Sequence, residues 1–271
     1  MQRTDLAVLQ PAVVDVARRA GRRILKIYES EFDVAFKEDR SPLTAADTAA
    51  HRCLMEVLPT LGAGYPVLSE EASDLPFEER SRWRTYWLVD PLDGTKEFIN
   101  RNGQFTVNVA LIHDHEPVLG VVHVPVRNTT YYAARGLGAF KQSGDGEPRP
   151  IRVRKPAPEK PVIVGSRSHQ TPAFAEYLQR LDGEYELIAI GSSLKFCLVA
   201  EGRADLYPRL GPTSEWDTAA AHCVVVEAGG FVVDLSGKPL RYNTKASVLN
   251  PYFLVYGDDS RDWLAFIPEN L

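Results

Sequence analysis

Apolar residues recur at helical spacing early in the chain, at Leu9, Val13, Val16, Ala20, Ile24 and then Ile27 or Tyr28. That period predicts an amphipathic helix over residues 6–29. A second helix is predicted over 44–58, with Thr44 as N-cap and Asp47 at N3, where a carboxylate reaches back to the cap amide. Pro66–Ser69 reads as a short strand, and the polar stretch 77–84 as irregular or helical chain. The spacing then changes. Phe105–Ile112 and Val118–Val124 flank a turn at 113–117, and Thr129–Ala134 and Ala139–Lys141 follow, which predicts an antiparallel meander.

Residues 144–161 are rich in Gly, Pro and charge, although Ile151–Val153 within them reads as a strand. Beyond them short apolar runs alternate with helical segments. Strands are expected at Val162–Val164, Leu187–Ile190, Ala204–Tyr207, Phe231–Asp234 and Phe253–Tyr256. Helices are expected at 171–181, 192–201, 217–228 and 259–267, with Gly229-Gly230 ending the third. The change of pattern predicts an α+β domain over 1–155, with mainly antiparallel sheet, and an α/β domain over 156–271.

Composition narrows the function. The 271 residues are 44% hydrophobic and 25% charged, with net charge −5 and no long basic run. Nucleic-acid binding needs a concentrated positive surface, so it is disfavoured. An acidic chain still acts on anions when metal ions invert the local field. Cys53, Cys197 and Cys223 are odd in number and form no C-x-x-C, which reads as buried thiols in a reducing compartment. The start of the chain has no apolar leader core, and no run reaches the ~18 apolar residues of a membrane helix. The expected location is the cytoplasm. Peripheral attachment to the inner face of the cell membrane stays open, as does the choice between monomer and homodimer.

The chemistry concentrates in Trp87-Leu88-Val89-Asp90-Pro91-Leu92-Asp93-Gly94-Thr95. A strand is expected to stop at Pro91, which has no N–H for the ladder. Asp90 and Asp93 then share a tight turn, and two carboxylates aimed at one point repel unless a cation lies between them. Hard oxygen ligands on a partly open turn suit Mg²⁺, which completes its shell with water and phosphate. Ser69-Glu70-Glu71 is either a solvated turn or a further ligand. Asp217 opens a helix, as a cap, as a third carboxylate, or as both. Gly191-Ser192-Ser193-Leu194-Lys195 is either ordinary capping or a phosphate contact. Gly165-Ser166-Arg167-Ser168-His169 is either a polar loop or a second phosphate contact.

Glu70-Glu71, Asp90-Pro91-Leu92-Asp93-Gly94-Thr95, Trp216-Asp217-Thr218-Ala219-Ala220 and Glu227-Ala228-Gly229-Gly230 together resemble the signatures of the inositol monophosphatase superfamily of Mg²⁺-dependent, lithium-sensitive phosphatases. Ser166-Arg167-Ser168-His169, Gly191 to Cys197, Tyr207-Pro208-Arg209 and Gly211-Pro212 resemble its CysQ-type 3′(2′),5′-bisphosphate nucleotidase branch. The fold so implied is a layered αβαβα sandwich. The resemblance implies two or three Mg²⁺ held by Glu70, Asp90, the Leu92 carbonyl, Asp93 and Asp217. It implies a water positioned and deprotonated by Thr95 with Asp47, assisted by Glu70. Substrate contacts are expected from Glu70, Leu92, Asp93, Gly94, Thr95, Ser166, Arg167, His169, Gly191, Ser192, Ser193, Lys195, Arg209 and Asp217. The implied reaction is hydrolysis of adenosine 3′,5′-bisphosphate to AMP. An inositol or sugar monophosphate phosphatase is the alternative, and a non-catalytic nucleotide-binding regulator the third reading.

Overall fold

The structure, a computed structural model, describes residues 1–31, 34–36, 42–168, 171–181 and 183–271, without the side chains of 34–36, 42 and 43. Helix α1 (Arg3–Tyr28) buries the predicted stripe: Leu9, Val13, Val16, Ala20 and Ile24, with Leu6, Ala17 and Gly21 beside it. Strands β1 (Val34–Phe36) and β2 (Pro42–Thr44) form a small antiparallel pair that the apolar pattern did not signal. Helix α2 (Ala45–Val57) starts at the predicted cap: the Thr44 hydroxyl accepts from the Ala46 amide, and Asp47 accepts from the Thr44 amide at 2.7 Å. Both helices cover one face of a seven-stranded sheet.

The sheet runs in chain order: β3 (Val67–Ser69), β4 (Thr85–Asp93), β5 (Thr106–His113), β6 (Glu116–Val124), β7 (Thr129–Ala134), β8 (Gly138–Ser143) and β9 (Arg149–Ile151). Only β3 and β4 pair in parallel. Short helices α3 (Phe77–Arg80) and α4 (Thr95–Ile99) flank β4. The β5–β6 turn is tighter than the expected 113–117: His113 pairs with Glu116. Asp114 and His115 alone make the turn, both at positive φ, as a two-residue hairpin requires. Because both faces of β5 are covered, its residues are buried in an unbroken run. Val107, Val109 and Leu111 face α1 and α2, while Ala110 and Ile112 join the core on the other side.

The second sheet contains β10 (Val162–Ser166), β11 (Glu186–Ile190), β12 (Leu206–Arg209), β13 (Phe231–Asp234) and β14 (Phe253–Tyr256), in the order β11-β10-β12-β14-β13. It is mixed: β10, β11 and β12 run parallel, and β14 is antiparallel to both its neighbours. Helix α5 (Pro172–Arg180) packs on its outer face through Phe174, Tyr177 and Leu178 with Trp263. Helices α6 (Leu194–Ala200) and α7 (Glu215–Glu227) lie between the sheets and share one core with both. The result is the αβαβα sandwich. Helix α6 is buried all round and α7 nearly so, as the middle layer demands.

Further expected elements change, and the strand expected at Ile151–Val153 lies instead at Arg149–Ile151. The helix expected over 259–267 is one 3₁₀ turn, Trp263–Phe266, because the Asp262 side chain caps a turn that Pro268 stops from extending. The helix expected from 192 begins at Leu194, since Ser192 takes φ +51°. Among the described residues no helix is long and apolar enough to cross a membrane.

Gly120 on β6 sets the depth of α7. A Cβ there would stand 2.1 Å from the Ala220 carbonyl oxygen. Backbone cannot rotate aside, so Gly120→Ala is expected to destabilise the fold by about 3 kcal/mol. Urea denaturation measures this; a midpoint equal to that of the unsubstituted protein would refute the close-approach argument.

Candidate active site

Asp90 and Asp93 lie three residues apart, so in a regular strand they would point to opposite faces. The chain corrects this with a bulge. Asp90 pairs with Asn108 and Asp93 with Thr106, so Pro91 and Leu92 together oppose Val107. The strand therefore passes the proline instead of stopping there. Pro91 occupies the place where a ladder N–H is not needed. Both carboxylates now line one cavity of about 450 Å³. Asp90 accepts from the Leu92 amide at 3.0 Å, which holds the bend. Gly94 takes φ +94°, a conformation that favours glycine, and leads into α4. There the Thr95 hydroxyl stands 3.3 Å from Asp47 and 3.4 Å from the Leu92 carbonyl.

Glu70 follows β3, and its amide donates to the Val89 carbonyl at 3.1 Å, so the parallel pairing sets it beside Asp90. Asp217 arrives from the other half, at N3 of α7. The helix starts two residues before the expected 217, with Ser214 as cap. Asp217 accepts from the Ser214 amide at 3.0 Å and the Thr213 hydroxyl at 2.8 Å. Carboxylate oxygens of Glu70, Asp90 and Asp217 lie within 4.8 Å of one another. Burial, reinforced by Glu70, Asp93 and Asp217, pushes Asp90 far above the usual carboxylate range. Burial also raises Asp93 to about 7, with Asp217 adding to the rise and Lys195 opposing it. A buried cluster of like charges with only hard oxygen donors fits a divalent cation such as Mg²⁺.

Asp93 is held from both halves of the chain. One of its oxygens accepts from the Ser193 amide at 2.5 Å, the Asn108 amide group at 3.3 Å and the Thr106 hydroxyl at 3.4 Å. Ser193 Oγ in turn donates to Asn108 at 2.8 Å. The Gly191 amide donates to Gln104 at 2.9 Å. The amides of Gly191 and Ser193 are thus committed inside the protein. Gly191 is tightly enclosed, since a Cβ would meet Glu97 at 2.5 Å.

Lys195 is buried, with Nζ 2.6 Å from the Ser192 carbonyl and 5.5 Å from the centre of the Tyr207 ring. Burial lowers its pKa to about 8, while the Asp93 carboxylate pulls the other way. Ser166, Ser192 and Arg209 line the cavity too, and Arg209 donates to the Pro212 carbonyl. Arg167 is exposed and donates to Gln104 at 3.0 Å and the Ala189 carbonyl at 2.9 Å, away from the cavity-lining set. Asp47 lies behind Thr95. His169 falls outside the described residues.

Sequence reasoning missed Thr106, Asn108, Gln104 and Glu97. Glu97 accepts from the Ser168 hydroxyl at 2.6 Å. Asn108 carried a usable signal: it is a polar residue inside the apolar run Val107–Ile112, and a buried amide needs partners. Gln104 and Glu97 carried none.

Residues 5–258 match the inositol monophosphatase family, and the chain belongs to that family. Its members use divalent metal ions, which agrees with the acidic cluster. The chain is 54% identical over 246 residues, 90% of its length and 97% of the relative's, to the 3′(2′),5′-bisphosphate nucleotidase CysQ of Escherichia coli K12. It is 39% identical over 259 residues to the Haemophilus influenzae protein of that name, covering 95% of this chain and 96% of the relative. The crystal structure of CysQ from Bacteroides thetaiotaomicron superposes with TM-score 0.82 at 44% identity, covering 94% of this chain and 98% of that one.

Proposed function

We propose that this chain is a Mg²⁺-dependent 3′(2′),5′-bisphosphate nucleotidase that converts adenosine 3′,5′-bisphosphate to AMP and phosphate. The observation that carries the reading is one cavity lined by both the carboxylate cluster and the buried Lys195. A bisphosphate needs both: one place for the phosphate that is cleaved and a cation for the one that stays. The 54% identity to a bisphosphate nucleotidase supports the same choice.

In this reading Glu70, Asp90, the Leu92 carbonyl, Asp93 and Asp217 hold two or three Mg²⁺. When bound, the cations supply Lewis acidity, which lowers the pKa of water and neutralises charge on the phosphoryl oxygens. The chain's own part is positioning. Thr95 orients the attacking water and passes its proton toward Asp47, with Glu70 assisting. Burial raises the Asp47 pKa, against the two bonds from Thr44, so the carboxylate is a readier proton acceptor than a solvated one. The water oxygen bonds to phosphorus, the bond from phosphorus to the ribose 3′ oxygen breaks, and that oxygen takes a proton from solvent water as it leaves, while Asp47 returns its proton to solvent. Lys195, Arg209 and the Ser192 hydroxyl receive the remaining phosphate, with Ser166 near the nucleoside. Residues 1–155 then carry most metal ligands, and 156–271 supply Asp217 and the phosphate contacts. A cytoplasmic location, with or without peripheral attachment to the membrane, belongs to the same reading; the three buried free thiols suit a reducing compartment.

Thr95→Ala is expected to lower kcat by about 10²–10³, the scale of a lost proton-transfer partner, with KM and Mg²⁺ affinity little changed. An unaltered kcat would remove Thr95 from the water-activating role. The overall reading is tested by phosphate release from adenosine 3′,5′-bisphosphate and inositol 1-phosphate in parallel, with Mg²⁺ and with EDTA. A Mg²⁺-dependent preference for the nucleotide is expected. The family match leaves an inositol or sugar monophosphate as the competing substrate class, and a preference for inositol 1-phosphate would establish it.

A further inference from the structure

A second cavity of about 720 Å³ borders the C-terminal half of α7, away from Asp217. Its size suits a small organic ligand. Pro117, Cys223, Val226, Phe231, Val232 and Leu240 make its walls largely apolar. The charged groups at its rim engage neighbouring protein groups. Arg135 and Arg241 both donate to Glu116, at 2.7 and 2.5 Å. The Glu227 carboxylate accepts from the amides of Gly136 and Gly138, and Lys238 interacts with Asp234.

His222 adds a polar ring to the lining. His222 is only 4% exposed, and its Nδ1 lies 2.9 Å from the Tyr242 hydroxyl. Among the described residues Nε2 has no hydrogen-bond partner. Burial lowers the His222 pKa to about 3, so the ring is neutral and carries one donor and one acceptor nitrogen. Tyr242 also lies 3.2 Å from the Thr218 hydroxyl, and Thr218 lines the catalytic cavity next to Asp217.

We infer that this cavity binds a small, uncharged, largely aromatic molecule that hydrogen-bonds His222 Nε2, and that its occupancy reaches the catalytic cavity through Tyr242 and Thr218. An occupant that donates to Nε2 holds the proton on Nδ1. Nδ1 then donates to Tyr242, and the Tyr242 proton turns to Thr218. An occupant that accepts from Nε2 imposes the reverse order, in which Tyr242 donates to Nδ1 and accepts from the Thr218 hydroxyl, which turns away from the Glu215 carbonyl 3.1 Å from it.

Indole is the probe and benzofuran its control, of similar shape without the N–H. Each is titrated into the Mg²⁺-loaded full chain labelled with ¹⁵N-histidine. Indole is expected to saturate with Kd on the order of 1 mM and to shift the His222 ring nitrogens. Benzofuran is expected to bind roughly fivefold more weakly, the value of one hydrogen bond. Val226→Trp, at a half-exposed wall position, fills the cavity and is expected to abolish binding. No saturable indole binding, or binding unchanged in Val226→Trp, overturns the site. A second arm rests on the phosphatase reading: indole is expected to change turnover on the order of fivefold, and not at all in Tyr242→Phe. Saturable binding with constant turnover overturns the link. A chain with no turnover before indole is added counts against the phosphatase reading, and the spectra still decide the site.

Discussion

Asp90→Asn is expected to reduce phosphate release by at least about 10³-fold and, in metal-free buffer, to raise the stability of the fold. Both effects have one cause. Asp90 is 1% exposed, with Glu70, Asp93 and Asp217 pressing on it. Asparagine keeps the oxygen that accepts from the Leu92 amide, so the bend survives. What it removes is a charge central to cation binding, and charge stabilisation is the largest single contribution in phosphoryl transfer. It also removes a charge that the folded protein holds poorly. The carboxyl of Asp90 titrates far above its unfolded value of 3.8. The folded state therefore keeps this proton longer than the unfolded one. Its contribution to stability is intact below pH 3.8 and falls as pH rises toward the folded-state pKa. Metal-free wild type should melt lower at pH 8 than at pH 5, since both values lie above 3.8 and the stability from the raised carboxyl is lost as pH rises; the variant should lose less. Added Mg²⁺ should raise the wild-type Tm and barely move the variant. Thermal melts in EDTA and in Mg²⁺ at both pH values measure this. A variant that melts below wild type in EDTA at pH 8 would contradict the repulsion argument.

Lys195→Ala is expected to raise KM for adenosine 3′,5′-bisphosphate by roughly 10–100-fold, the value of a buried charge-assisted phosphate contact. KM for a monophosphate substrate should change far less. The structure offers a competing role, because Lys195 opposes the high pKa of Asp93 and its Nζ already donates to the Ser192 carbonyl. If the lysine served only to balance Asp93, kcat and Mg²⁺ affinity would fall for both substrates alike. Parallel kinetics on the two substrates separate these outcomes, and equal effects on KM would remove the phosphate assignment.

The acidic stretch at the candidate site was legible because its chemistry is local. Asp90, Pro91, Asp93, Gly94 and Thr95 sit within six positions, and no packing requirement explains two carboxylates after an apolar strand. Thr44 and Asp47 were legible for a similar reason, since a capping box spans four residues. The Ser193 region was half legible. The loop after β11 was foreseen at the site, but its amides turn to Asp93 and Gln104, partners 100 and 87 positions away. No window of sequence contains both ends of such a bond.

The sequence by itself determined the longer helices, the longer strand runs, the Thr44 cap and the residue types able to hold a cation, because each follows from contacts within about one turn of chain. Tertiary structure alone decided that Asp90 and Asp93 share a face, through a bulge that depends on the register with β5. It alone brought Asp217 to Glu70, by seating α7 between two sheets at a depth that Gly120 permits. It also made the second sheet mixed rather than parallel, and it placed His222 and Tyr242 between two cavities. Those outcomes depend on which distant surfaces fit together, and side-chain packing across layers, not local backbone preference, sets that fit.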